Sequence, residues 1–197
     1  MDKLPPISDE QLNVVNNIKN NNVIVDSVAG SGKTTTNIFI SLYYKDKNIL
    51  LLTYSKRLKN ETRDKIKVLN IKNLEVHSYH SFFVKYYNES CYTDESLIEH
   101  INCEIKTQIK YDIIILDEVQ DMSPLYFEIV CKLISDNTQK DIRICILGDR
   151  YQNIFDFKGS DDRFIVHANK IFPGELPWSF CTLSESFRLT KKKCYVY

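Results

Sequence analysis

The chain lacks any long apolar run: none approaches the ~20 consecutive apolar residues that a membrane-spanning helix needs. Its amino terminus, MDKLPPISDE, contains no apolar h-region, so no secretory signal is read there. These absences argue against transmembrane and secreted classes, set the expectation of a cytoplasmic or nuclear protein, and leave a membrane out of the expected partners. Charge of one sign is missing too. The 26 Lys and Arg balance the 26 Asp and Glu, for a formal net charge of +0. A general polyanion binder with a global basic field is thereby excluded, and any nucleic-acid contact has to rest on local grooves and stacking. Metal-binding cysteine patterns are also absent. The 6 cysteines, at 91, 103, 131, 145, 181 and 194, form no C-x-x-C pair and have no histidine at metal spacing. Reduced, mostly buried thiols are expected, and structural zinc is not. Glycine, alanine and arginine are sparse while Lys, Asn, Ile and Tyr are frequent. That is the bias of AT-rich coding sequence, as in a large DNA virus or a protist.

What is present is an ordinary globular composition, 43% hydrophobic and 26% charged over 197 residues, enough for one good-sized domain. Continuous apolar, β-branched runs recur at 22–25, 48–53, 74–78, 112–117 and 142–148. Their continuity, without alternation, predicts strands buried on both faces. Helix-like patterns lie between them at 33–44, 56–68, 80–87, 123–135 and 161–170. The alternation predicts an α/β fold, a three-layer parallel sheet flanked by helices and joined by right-handed crossovers. Residues 88–110 read as a small, polar, weakly helical insertion on the surface. No repeats or low-complexity tracts interrupt the chain.

The run VIVDSVAGSGKTTT carries the first chemistry. It fits G-x-x-x-x-G-K-[ST] except at the first position, where Ser27 stands in place of glycine. A strand before and a helix after supply the context of a phosphate-binding loop, formed here by Ala29, Gly30, Ser31, Gly32, Lys33, Thr34 and Thr35. Gly30 and Gly32 allow backbone N–H groups to turn inward on phosphate oxygens. Lys33 can reach the β- and γ-phosphates, and the Thr34 hydroxyl can ligand Mg²⁺. The second element is YDIIILDEVQD, which ends an apolar strand with Asp117 and Glu118. Asp117 can hold Mg²⁺ through water, and Glu118 can orient or deprotonate an attacking water. The pair makes hydrolysis of ATP the expected reaction, with ATP and Mg²⁺ as cofactors and the fold that of a P-loop NTPase.

The sequence D-E-x-Q-D at 117–121 resembles motif II of the UvrD/Rep-like superfamily 1 DNA helicases, and further motifs follow the family's order. SDEQLNVVNNI resembles the Q motif, which makes Gln11 the adenine reader. LLTYSKRLKNE resembles motif Ia, with Tyr54 at the aromatic position against single-stranded DNA. VHSYHSF is similar to the next DNA-contacting motif, usually T-F-H-S, with Ser78 and Tyr79 as substitutions and His80 and Ser81 as matches. LGDRYQNIFDFKGSD resembles motif III: Gln152 is the γ-phosphate sensor, Phe155 and Phe157 hold the aromatic DNA-contact positions, and Lys158 replaces an arginine. LSESFR resembles motif IV, with Phe187 on adenine and Arg188 on the γ-phosphate. Tyr54 and Phe157 remain open between a core role and base stacking, and His80 between a phosphate contact and a capping or buried histidine.

The resemblance implies a RecA-like 1A lobe over 1–197 with an insertion at 88–110 much shorter than the accessory domain of UvrD and Rep, which leans towards the F-box DNA helicase branch. It implies an ATP-driven motor on single-stranded DNA (RNA is left open), a monomer, and work in DNA repair or recombination. Stacking bases on Tyr54, Phe155 and Phe157 suits a translocase, because ~1–3 kcal/mol per base is gained without sequence preference. The family's second RecA-like lobe is not found in this sequence and is expected in a longer product. Without its arginine the chain alone is expected to bind nucleotide weakly, hydrolyse it slowly and leave duplex unopened, since such a residue contributes about 10³–10⁵ in rate. Two other readings stand beside this one: a P-loop ATPase or nucleotide switch without translocation, and a non-catalytic binding module.

Overall fold

The five apolar runs become strands because their Ile, Val and Leu side chains can be buried on both faces of a sheet. They are β1 (Asn22–Ser27), β2 (Ile49–Thr53), β3 (Leu74–Ser78), β4 (Ile113–Asp117) and β5 (Arg143–Gly148). The computed structural model describes residues 4–150 and 163–187. A sixth strand, β6 (Trp178–Leu183), escapes the sequence reading because only Cys181 and Leu183 are buried, while Trp178 is partly covered and Phe180 is exposed. The sheet order is β3-β2-β4-β5-β1-β6, and every pairing is parallel. All carboxyl ends therefore open on one edge of the sheet.

Successive strand residues alternate between two cores, as the two-residue period requires. Leu50, Leu52, Ile114, Leu116, Ile144 and Ile146 enter one, and Ile49, Leu51, Ile113, Ile115, Cys145 and Leu147 the other. The helices α1 (Asp9–Asn17), α2 (Lys33–Tyr43) and α3 (Lys56–Val68) run beside the second core, to which α1 and α2 contribute Val14, Val15, Phe39 and Ile40. The first core is covered by α4 (Tyr79–Tyr86), α5 (Asp94–His100), α6 (Pro124–Asp136), α7 (Arg163–Val166) and α8 (Ala168–Ile171). The helical pattern expected over 161–170 is thus broken at His167 into two short pieces. Among the described residues no helix is long and apolar enough to cross a membrane.

Helix starts lie just beyond strand ends. Ser55, Ser78 and Ser123 each accept a backbone N–H as N-caps of α3, α4 and α6, and Pro124 takes the first turn of α6, where its missing N–H is not needed. At position 78 serine substitutes for threonine without loss, because either hydroxyl can cap. The edge strand β3 is blunted by polar contacts: Arg63 Nε donates to Val76 O at 2.8 Å, and Glu75 accepts from the Tyr111 and Tyr86 hydroxyls at 2.6 and 2.9 Å.

The segment 88–110 is tied into the first core. Cys91 and Leu97 are fully buried and Ile109 nearly so, while Thr93 caps α5. Leu97→Ala should therefore lower stability by about 2–4 kcal/mol, whereas Ile98→Ala, one residue on and exposed, should stay within about 0.5 kcal/mol. Urea unfolding of the two variants measures the contrast, and equal midpoints would contradict the packing of α5.

Candidate nucleotide site

The loop between β1 and α2 turns through two left-handed glycines, Gly30 at φ 76° and Gly32 at φ 89°. Only glycine takes these angles without strain. Residue 27 has no such need. Ser27 ends β1 in extended backbone, paired with Leu183, and its hydroxyl donates to Gly148 O at 2.8 Å. Serine is accepted where the motif usually has glycine for that reason. Gly32 is the N-cap of α2 and supplies no side-chain cap. The N–H groups of the first turn thus remain available to an anion, with the positive end of the helix dipole behind them.

The acidic element meets this loop from β4. Only β5 stands between β1 and β4, so the two strand ends are near neighbours. Lys33 Nζ lies 3.1 Å from Glu118 Oε2. Glu118 has φ 57° and ψ 46°, a left-handed backbone that costs a non-glycine residue of the order of 1–3 kcal/mol. Its N–H donates to Asp117 Oδ1 at 3.0 Å, and its carboxylate accepts from Gln120 Nε2 at 2.7 Å. The strained turn thus separates two adjacent carboxylates: Asp117 points into the protein at 1% exposure, while Glu118 lines the cavity. Burial, and then the neighbouring Glu118 charge, push the Asp117 carboxyl up to about 7, against the opposing pull of Lys33 and of hydrogen bonds from the Glu118 N–H and Asn37.

A cavity of about 690 Å³ opens over the loop. Gly30, Ser31, Gly32, Lys33, Thr34 and Thr35 form its floor, and Gln11, Glu118, Gln120 and Phe187 its walls. Ala29 contributes its carbonyl, which accepts from the Ser186 hydroxyl at 2.8 Å. Phe187 is exposed, its N–H donates to Gly30 O at 3.0 Å, and a Cβ on Gly32 would sit 3.6 Å from its ring. Gln11 also overhangs Gly32, with Nε2 2.8 Å from where that Cβ would be. Its Oε1 accepts the Ser8 N–H at 3.1 Å in a capping box, which fixes the orientation of the amide and leaves its Nε2 toward Gly32.

Tyr54 and His80 lie apart from the cavity lining, together at the ends of β2 and β3. Tyr54 is 48% exposed and meets Tyr126 edge-on at 5.8 Å, which removes the core reading for it. Tyr126 stacks on Tyr79 at 4.5 Å, and its hydroxyl donates to Asp94 Oδ1 at 2.8 Å. His80 is half-buried, its Nε2 3.0 Å from the same Asp94 oxygen. Gln152, Phe155, Phe157 and Arg188 lie outside the described residues. Sequence reasoning passed over Gln120, although it sits inside the quoted D-E-x-Q-D. It is 3% exposed and bridges Glu118 to the end of β5, accepting the Asp149 N–H at 3.1 Å. It also passed over Asn37, one helical turn beyond Lys33, whose Nδ2 donates to Asp117 Oδ2 at 3.2 Å.

Comparison with known proteins places this geometry in context. Residues 11–158 match the AAA domain family. A stretch of 85 residues is 33% identical to "Putative ATP-dependent DNA helicase YjcD" of Bacillus subtilis (strain 168), covering 43% of this chain and 10% of that protein. The Pif1 helicase from Candida albicans superposes with a TM-score of 0.60 at 17% identity, over 93% of this chain and 41% of that one. Bacteroides Pif1 bound to single-stranded DNA gives 0.54 at 16%, over 96% and 44%. The chain thus matches less than half the length of each of these proteins. At these identities the structural likeness is one of fold, and it identifies the sheet as the RecA-like P-loop type.

The buried carboxyl gives a signed pH dependence. A carboxyl raised above its ordinary 3.8 stabilises the fold below that value and loses the contribution as pH rises through about 7. In metal-free buffer the stability difference between wild type and Asp117→Asn should therefore move against the wild type between about pH 4 and pH 7. Urea midpoints across that range measure it, and parallel profiles would refute the burial argument.

Proposed function

The chain belongs to the AAA domain family, and from that premise we propose that it is the ATP-binding 1A lobe of a superfamily 1 DNA helicase, hydrolysing ATP·Mg²⁺ to move along single-stranded DNA. The observation that carries the reading is the meeting of Lys33 and Glu118 at 3.1 Å on the wall of one cavity, with Asp117 buried behind them. A phosphate loop alone would bind a nucleotide. A loop with a general-base carboxylate held over it can also hydrolyse one.

The residues fit the cofactors. The cradle N–H groups and Lys33 match a polyphosphate, and Gln11 and Phe187 frame a space for the adenine. Thr34 hydroxyl and Asp117 carboxylate are the hard oxygen donors that Mg²⁺ takes, and the buried Ser31 Oγ has no partner among the described residues. Bound Mg²⁺ would neutralise charge on the β- and γ-phosphates. Lys33, now paired with Glu118, turns to the phosphates when they enter and releases the carboxylate. Glu118 then accepts a proton from the attacking water as the oxygen–phosphorus bond forms and the bridging P–O bond breaks, giving ADP and phosphate. Gln120 ties Glu118 to Asp149 at the end of β5, a route by which nucleotide state would leave the site toward the DNA track. Tyr54 and His80, with Phe155 and Phe157, are the proposed single-strand contacts. The helicase names of YjcD and Pif1 support the DNA assignment, as does the single-stranded DNA bound to Bacteroides Pif1. A second RecA-like lobe in a longer product completes the proposed motor.

ATPase activity with and without single-stranded DNA tests the reading, on this chain and on the longest product of its reading frame. DNA should stimulate turnover of the longer product. Lys33→Ala should abolish nucleotide binding, while Glu118→Gln should keep binding and lose about 10²–10⁴ in rate. Equal rates in all three proteins would refute the enzyme, and turnover indifferent to DNA would leave an ATPase switch.

A further inference from the structure

Two buried polar atoms beside Asp117 are left without a partner among the described residues. Asn37 is fully buried, and while its Nδ2 donates to Asp117 Oδ2, its Oδ1 accepts no hydrogen bond. Thr53 stands in register with Asp117 on the adjoining strand β2, is equally buried, and its Oγ1 is unpartnered as well. Side chains at paired positions of neighbouring strands share a face of the sheet. Nearly all buried polar groups find a partner, and water is the usual one where protein supplies none. A leucine at 37 and a valine at 53 would fill much the same space, so the polar atoms call for a reason.

We infer that Asn37 and Thr53 are positioning residues for the Mg²⁺ of this site, an inference that rests on the nucleotide reading above. Each oxygen of Asp117 already has one protein donor, the Glu118 N–H on Oδ1 and the Asn37 amide on Oδ2. The carboxylate is held in one orientation from two sides. Mg²⁺ sheds its waters reluctantly and keeps several when it binds protein. Asn37 Oδ1 and Thr53 Oγ1 are the acceptors for waters brought to Asp117 with the ion. Asn37 thereby acts twice, as a donor to the carboxylate and as an acceptor for the hydration shell. Lys33 and Asn37, four residues apart, lie on one face of α2, so the helix that presents the lysine also sets the acid.

Binding of a fluorescent ATP analogue, titrated with Mg²⁺ and read without turnover, tests this in wild type, Asn37→Leu and Thr53→Val. Outer-sphere changes of this kind weaken metal binding by about 10–100-fold. Asn37→Leu should raise the half-saturating Mg²⁺ concentration by about tenfold, and Thr53→Val should raise it less. Affinity for the analogue in EDTA should change by less than about twofold, which a general packing defect would not spare. An unchanged Mg²⁺ requirement, or an equal loss with and without metal, would overturn the inference. Should Asn37→Leu fail to fold, the Thr53→Val titration decides on the same criteria. A wild-type chain that binds no analogue under any condition would remove the nucleotide reading itself, and this inference with it.

Discussion

Parallel pairing of β1, β5 and β4 is the constraint on which the site depends. A parallel sheet puts every strand's carboxyl end on one edge, and ligands of open α/β sheets collect there. Because only β5 separates the two chemical strands, a lysine after β1 and a glutamate after β4 come within 3.1 Å. Reversing any one of these strands would move its chemistry to the far edge of the sheet.

The two acidic residues share this edge but occupy different environments, and backbone strain is what divides them. Glu118 takes left-handed angles, so its carboxylate swings out to Lys33 and Gln120 while Asp117 continues inward. Two like charges on adjacent residues would otherwise repel in a poorly solvated space. Lys33 eases that repulsion from the cavity side, and Asn37 and the Glu118 N–H from the other. In the proposed nucleotide site a phosphate would compete with Glu118 for Lys33, which would couple occupancy and the state of the carboxylate through a single ammonium group.

Much of this was legible from residue order. The strand runs announce themselves because burial on both faces demands continuous apolar side chains. The phosphate loop does so because positive-φ turns demand Gly30 and Gly32. Other features were hidden for equally physical reasons. The edge strand β6 carries only a half-pattern of buried residues. The insertion reads as polar because Cys91, Leu97 and Ile109 are spaced too widely to show a face until α5 folds onto the first core. Gln11 reads in the sequence as an adenine contact, by resemblance to the Q motif. Its capping box with Ser8 depends on the side-chain rotamer and could not be read from the residue order.

By itself the sequence determined the fold class, the cradle and the acidic pair, since each is encoded by neighbours along the chain: a run of apolar residues, a glycine spacing, an Asp-Glu step. Tertiary structure alone decided which of the two carboxylates faces the cavity, that Tyr54 is exposed rather than core, and that Asn37 and Thr53 flank Asp117. These last relations join residues far apart in the chain. They come from strand order and register, which are set by burial summed over the whole sheet, and no local motif carries that sum.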